Sequence, residues 1–270
     1  ELHLAPELIT KDDYGRLAEF DALFIRETTG VNHHTYRLAR RAVAKNLVAI
    51  DDPESILKCT NKVFLAELLH KHRVLIPRTV IVHRANADLL PDSLGFPCIV
   101  KQPDSSFSQG VHKVENALEL RERVDKMLER SDLIIAQEFL PTSFDWRVGI
   151  LDRQPLFVSK YFMASHHWQI IKRNAAGAKT GDGDVETIPV DEAPPRLLKT
   201  ALKAANLIGD GLYGVDIKQC RGKYYIIEIN DNPNIDAGYE DRALGDELYR
   251  KVMEVFLRRL DNRWLTGVPR

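Results

Sequence analysis

Apolar positions along this chain recur with two periods. Residues 20–25 (Phe20-Asp21-Ala22-Leu23-Phe24-Ile25) read as a short strand, residues 32–46 as a helix and residues 47–50 as a second strand, a fragment of α/β structure. Asp52-Pro53 opens a short helix, and Thr60 is the expected cap of the next, in which Phe64, Leu65, Leu68 and Leu69 form one apolar stripe. Beyond Pro77 the period shortens: strands are expected at 78–82, 98–101 and 133–137. Between the last two lies a helix marked by Asn116 with Glu119 three residues on, and by Leu120, Val124, Met127 and Leu128 at helical spacing. Strands at 146–151 and 155–162 join at Asp152-Arg153-Gln154. Residues 164–184, punctuated by Gly177, Gly181 and Gly183, read as an irregular, mobile connection. Pro194-Pro195 starts a helix with Leu197, Leu198, Ala201, Leu202 and Ala205 on its apolar face, ending near Gly209, and Leu248, Val252, Val255 and Phe256 mark the final one.

One hairpin breaks its own pattern. Gly214-Val215-Asp216-Ile217 is followed by Tyr224-Tyr225-Ile226-Ile227-Glu228-Ile229-Asn230, so two carboxylates and an amide interrupt an apolar ribbon. Buried and unpaired, such groups are too costly to keep, and a hard divalent cation with phosphate oxygens beyond it is their natural partner. Glu228 and Asn230, two apart, leave one face of their strand. Asp216 joins that face if the connecting loop holds an odd number of residues, and a three-residue loop Cys220-Arg221-Gly222, glycine left-handed, is expected to supply it.

Composition narrows the class. Lys plus Arg number 38 against 39 Asp plus Glu, so no field of one sign points to nucleic acid, and any anion site must be local. Cys59, Cys98 and Cys220 are scattered without metal-type spacing, as expected of packing thiols in a reducing compartment. No stretch approaches membrane-span length and the amino end lacks a signal-peptide pattern, so a cytoplasmic enzyme with no membrane partner is the expectation. Opening on Glu1, the chain is expected to be a fragment or processed form. Self-assembly into a homo-oligomer stays open.

Other candidate chemistry follows the strands. Lys101 ends an apolar run, so its ammonium is expected inside a cleft; the loop Asp104-Ser105-Ser106-Phe107-Ser108-Gln109-Gly110-Val111 then offers hydroxyls and close backbone amides to a phosphate. Lys62 sits in a first helical turn, where a nearby phosphate would offset the unfavourable dipole. The peptides of Gln137-Glu138-Phe139-Leu140 could read an adenine edge, with Asp145 placed for ribose or metal. Arg147 and Lys160 are expected opposite the carboxylates, holding a transferred phosphoryl group or oxyanion. His33-His34 and His166-His167 are not read as metal pairs, because neighbours on a strand diverge. Asp182-Gly183-Asp184 lacks the rest of a calcium loop. Trp168 reads as part of an acceptor-facing lid.

In order, Lys62, Val100-Lys101, residues 105–111, Gln137 to Leu140, Asp145-Trp146-Arg147, Lys160, Asn174, Asp216 and Glu228-Ile229-Asn230-Asp231-Asn232-Pro233-Asn234 resemble the ATP-grasp family, most nearly its RimK-type carboxylate-amine ligases, relatives of glutathione synthetase. The resemblance implies an α+β fold of two lobes clasping a nucleotide: a partial α/β segment over 1–52, then the ATP-grasp domain over 53–270 with a small lobe at about 76–137. It implies ATP phosphates against Lys62, Lys101, Ser105, Ser106, Ser108 and Gly110, the base against Gln137, Glu138 and Phe139, and ribose near Asp145. Asp216, Glu228 and Asn230 would hold Mg2+, two ions with Mn2+ as a substitute, while Arg147, Lys160, Asn174 and Asn234 would face the reacting carboxylate and its acyl phosphate. The expected activity is ATP-dependent joining of a carboxylate to an amine, on an amino acid, peptide or protein terminus. The rivals are a hydroxyl kinase and a nucleotide-binding regulatory module without turnover. The single-glycine phosphate loop, Asn61 where many relatives carry an acid, and the unmatched His166-His167-Trp168 depart from the pattern.

Overall fold

A computed structural model describes residues 2–104, 110–165, 167–173 and 179–265, apart from the side chains of Arg173 and Trp264. The expectations for Ser105, Ser106, Ser108, His166 and Asn174 lie outside the described residues. After a 3-10 turn at Lys11–Glu19, strand β1 (Ala22–Phe24), helix α1 (His34–Ala44) and strand β2 (Val48–Ile50) form a parallel α/β unit. Helices α2 (Pro53–Thr60) and α3 (Lys62–Lys71) lead into a four-stranded sheet of β3 (Thr79–Val82), β4 (Cys98–Lys101), β5 (Val111–Val114) and β6 (Ile134–Glu138), with α4 (Leu90–Leu94) and α5 (Ala117–Leu128) beside it. A five-stranded antiparallel sheet follows, built from β7 (Phe144–Leu151), β8 (Gln154–Phe162), β11 (Val185–Ile188), β12 (Leu212–Cys220) and β13 (Lys223–Asp231), in the order β11-β8-β7-β12-β13. Strands β9 (Ile171–Arg173) and β10 (Lys179–Asp182) make a small ribbon; α6 (Pro195–Ile208) and α7 (Asp246–Leu265) complete the chain.

Side-chain parity decides what each sheet shows its neighbours. In the smaller sheet Cys98, Val100, Ile134 and Ala136 are buried against α4 and α5, so Ile99, Lys101, Ile135 and Gln137 take the other face. In the larger sheet Trp146, Val148, Val158, Val215 and Ile217 pack under Leu197, Ala201 and Ala205 of α6. The opposite face is divided. At one end Leu151, Phe157 and Leu212 are buried by Leu248, Val252 and Phe256 of α7. At the other end the same parity carries Arg147, Asp216 and Glu228, which α7 leaves uncovered. Gly149 makes the transition, because a Cβ there would sit 2.2 Å from the Phe157 ring. The amino-terminal packing runs across residue 52: Ile56 joins the core of Leu17, Leu23 and Leu38, while Ile50 packs with α7.

Several local expectations change. Thr60 closes α2, its hydroxyl donating to the Ile56 carbonyl at 2.8 Å; the cap of α3 is Asn61, which accepts from Phe64 N at 2.9 Å. Leu65 and Leu69 are buried but Phe64 is 42% exposed. Asn116 does cap α5, accepting from Glu119 N at 3.0 Å, while the Glu119 carboxylate reaches back to Glu115 N at 2.9 Å, one residue earlier than a capping box requires. The segment expected to be irregular holds β9 and β10, and β11 just after it extends the large sheet along β8.

The carboxylate hairpin reaches its parity by another route. Cys220 pairs with Lys223 across a two-residue turn, Arg221 (φ 50°) and Gly222 (φ 70°), both left-handed as a tight hairpin needs. Continued unbroken, that register would pair Glu228 with Val215 and turn it toward the α6 core. Instead Ile217 pairs with Ile226 and Asp216 with Glu228, so a bulge absorbs Ile227 and brings both carboxylates to one face.

Candidate functional site

Three neighbouring strands build the floor of the site. Asp216 on β12 faces Glu228 on β13 and Arg147 on β7, each directly across the ladder. Arg147 grips Asp216 with two bonds, Nε to Oδ1 at 2.7 Å and Nη2 to Oδ2 at 2.8 Å. Asn230 Nδ2 donates to Asp216 Oδ2 at 3.1 Å and toward the Gly214 carbonyl at 3.5 Å, which leaves the amide oxygen as the acceptor on its other side. Burial raises the Asp216 carboxyl and the guanidinium opposes it; for Arg147, burial works against the charge but Asp216 prevails, holding it firmly cationic. Arg147 is fixed from behind as well: its Cζ lies 4.8 Å from the Tyr161 ring, whose hydroxyl donates to buried Glu240. Gly214 makes room, since a Cβ there would meet Pro233 at 2.8 Å and Arg147 at 3.6 Å.

Lysines converge on this floor. Lys62, first residue of α3, reaches Glu228 Oε1 at 3.0 Å, and its backbone N–H holds the Pro103 carbonyl at 3.0 Å, tying α3 to the strand that carries Lys101. Lys218, two residues beyond Asp216 on the same face, binds Asp145 at 2.6 Å and the Thr142 hydroxyl at 2.7 Å. Lys101, 9% exposed, descends from the smaller sheet. Burial pushes its pKa down to about 8; Glu228 pulls it back up, and the charges of Lys62 and Lys218 press it lower. Between the two sheets lies an open cleft enclosing about 140 Å³, lined among others by Lys62, Lys101, Asp145, Asp216, Lys218 and Glu228.

At the other end of the cleft the lining turns aromatic. Phe139 meets Trp168 edge-on, centroids 6.0 Å and planes 82° apart, and Lys113 Nζ sits 4.5 Å from the Phe139 centroid. Gln137 Nε2 donates to Thr79 Oγ1 at 2.9 Å. The Glu138 carboxylate accepts from Arg78 N at 2.8 Å and Arg78 Nε at 3.3 Å, locking the end of β6 to β3. The carbonyl of Gly110 accepts from Gln102 N at 3.1 Å where the chain re-enters the smaller sheet.

The structure thus brings together Lys62, Lys101, Gln137, Glu138, Phe139, Asp145, Asp216 and Glu228 around one cleft, with Asn230 and Arg147 bonded to Asp216. It does not bring Lys160. That residue pairs with Trp146 rather than Arg147, so it leaves the opposite face of the sheet, where it binds Glu186 at 2.9 Å. Asn234 is exposed, bonded to Asp236 at 2.8 Å, and is not among the residues lining the cleft. Lys218 is the cation that sequence reasoning missed. Its spacing from Asp216 was the available signal.

Two α+β lobes closing on a cleft with lysines from one side and a row of oxygen donors from the other define an ATP-grasp protein. The chain belongs to the RimK-like ATP-grasp family, whose profile matches residues 59–255. It is 27% identical over 274 aligned positions to the alpha-aminoadipate–LysW ligase LysX of Sulfurisphaera tokodaii, covering 93% of this chain and 90% of that protein. It is 24% identical to a probable alpha-L-glutamate ligase of Syntrophotalea carbinolica, covering 87% of this chain and 77% of the relative. Among solved structures, D-alanine–D-alanine ligase from Bacillus anthracis complexed with ATP superposes with a TM-score of 0.71 at 19% identity, over 95% of this chain and 86% of that one.

Proposed function

We propose that this chain is an ADP-forming ligase that joins a carboxylate to an amine. The observation that carries the reading is the row Arg147–Asp216–Glu228, with Asn230 and Lys218 beside it, set beneath Lys62 and Lys101 in a family of ATP-dependent ligases. Asp216, Glu228 and the amide oxygen of Asn230 are hard oxygen donors of the kind magnesium selects, so the donor set fits that ion. Bound there, Mg2+ would neutralise charge on the phosphate oxygens; Asp216, Glu228 and Asn230 would hold two such ions, with Mn2+ able to replace them.

The protein's own part is position and charge. Lys62 and Lys101 hold the triphosphate, the peptides of Gln137 to Phe139 meet the base, and Phe139 with Trp168 forms the apolar wall beside it. Asp145 serves the ribose end through Lys218, which holds it in place. The substrate carboxylate attacks the γ-phosphorus and ADP leaves; the amine then attacks the acyl carbon and inorganic phosphate departs. Arg147, pinned by Asp216 and Tyr161, is oriented for the charge that accumulates on the acyl phosphate. With relatives named for alpha-aminoadipate and alpha-L-glutamate, the substrates proposed are an amino acid and the terminus of an amino acid, peptide or protein.

The test is release of ADP and phosphate from Mg-ATP across paired amino acids and short peptides. Ligation gives both products in equal amounts, dependent on the amine, and Glu228→Gln abolishes them while leaving the melting temperature unchanged. ADP without free phosphate would make the chain a kinase, and ATP bound without any ADP formed would make it a regulatory module.

A further inference from the structure

The connection between β1 and α1 gathers a second set of metal-type donors, chemically unlike the first. His33 caps α1 and His34 is its first residue, so the two rings do not diverge as strand neighbours would; their centroids are 4.0 Å apart, with planes at 39°. Both face Glu27. His34 Nε2 lies 2.8 Å from Glu27 Oε2 and His33 Nε2 lies 3.8 Å from Oε1, and one donor atom from each residue falls within 4.8 Å of the other two.

His33 is held through one ring nitrogen. Its Nδ1 lies 2.9 Å from the hydroxyl of Thr35, a residue 1% exposed whose hydroxyl donates to the Thr28 carbonyl at 3.1 Å, and 3.5 Å from the Thr35 N–H that it caps. Thr35 thus engages Nδ1 while Nε2 faces Glu27. A ring nitrogen held by an outer hydrogen bond, with the other left free to coordinate, is the arrangement metal-binding histidines use. Side-chain exposures of 58% for Glu27, 37% for His33 and 21% for His34 leave an approach for an ion and room for water as a fourth ligand.

We propose that Glu27, His33 and His34 form a site for a zinc-class divalent cation, separate from the all-oxygen site at Asp216 and Glu228. Ligands about 2.0 Å from a tetrahedral zinc stand about 3.3 Å from each other, midway between the 2.8 and 3.8 Å found here, so small side-chain rotations close the site. The site sits on a loop docked to the carboxylate strand: Asn232 donates to the Glu27 carbonyl at 2.6 Å, and Arg26 donates to Asn232 Oδ1 at 2.6 Å and to the Pro233 carbonyl at 3.0 Å. Bound metal fastens that loop where the chain leaves β13.

The full chain, stripped with a chelator and free of nucleotide, is titrated with Zn2+ alone against a chromogenic competitor, and with Co2+ by visible absorption. Wild type takes up one Zn2+, and Co2+ shows the intense bands of a tetrahedral site with imidazole ligands. His34→Gln and His33→Asn, the latter keeping a good helix cap, each weaken Zn2+ at least about 10-fold, with metal-free melting unchanged. Glu228→Gln binds Zn2+ like wild type. Zinc bound equally by the histidine variants, lost in Glu228→Gln, or not bound by wild type would overturn the proposal.

Discussion

Lys101 shows how much a single side chain can report. Its folded pKa of about 8 lies below the ordinary 10.5, chiefly through burial, so the charged ammonium costs stability at neutral pH and that cost is relieved as pH rises between those values. On the proposed function a bound triphosphate would supply a counter-charge and return the pKa toward normal. Nucleotide binding between about pH 8 and 10 should therefore take up a proton, visible as a buffer-dependent heat in titration calorimetry, and Lys101→Ala should abolish that uptake and weaken ATP about 10- to 100-fold. Equal heats in buffers of different ionisation enthalpy would place the lysine outside the phosphate site. Lys160 and Lys218 give a paired comparison: Lys218→Ala should lower turnover by at least about tenfold through loss of its bond to Asp145, while Lys160→Ala, on the far face, should stay within about twofold. The reverse order would return Lys160 to the site.

Among elements, the device that matters most is the bulge, and it occurs twice. A two-residue turn at Asp152-Arg153 pairs Leu151 with Gln154, and an irregularity between Gly149 and Ile150 then shifts the register so that Ser159 faces Arg147 and Lys160 faces Trp146. Without it Lys160 would share the face of Arg147. The same combination on the next hairpin does the opposite service, turning Glu228 toward Asp216. Because Ile227 is the extra residue, deleting it should close the bulge and leave Ile226 across from Ile217 and Glu228 across from Asp216. The expected result is a folded variant that keeps Mg2+-dependent turnover; a folded deletion variant without that turnover would contradict the register argument. This is also where sequence reasoning stopped. Period-two alternation, helix spacing and the misplaced carboxylates of β13 are legible because burial dictates them residue by residue. A bulge changes which face every later residue occupies yet leaves no mark in composition, so the carboxylates were grouped correctly on a wrong loop length. Lys160 was placed without regard to parity, since the expected join at Asp152-Arg153-Gln154 already sets it across from Trp146. Likewise β11 was missed because one short edge strand, Val185-Glu186-Thr187-Ile188, alternates too briefly to stand out from a polar segment.

Across the whole molecule, the junction between the amino-terminal unit and the large sheet carries a buried acidic pair. Burial first, then the neighbouring Asp231, lifts Asp51 well above the usual carboxylate range, and burial raises Asp231 to about 6. A carboxyl whose folded pKa is raised holds its proton more tightly when folded, so stability should fall as pH rises from about 4 to 6, by up to about 3 kcal/mol from Asp231. In urea titrations at pH 4.5 and 7, the difference between wild type and Asp231→Asn should change with that sign; a difference independent of pH would show that the pair does not titrate across this window. No described helix is long and apolar enough to cross a membrane, and the lobes meet instead around the cleft that Lys101, Lys62 and Glu228 share. The most direct test of that cleft is calorimetric titration of ATP, with and without Mg2+, into wild type and Glu228→Gln. Mg2+ should tighten ATP by at least about tenfold in wild type and confer no gain on the variant. An equal gain in both proteins would contradict it.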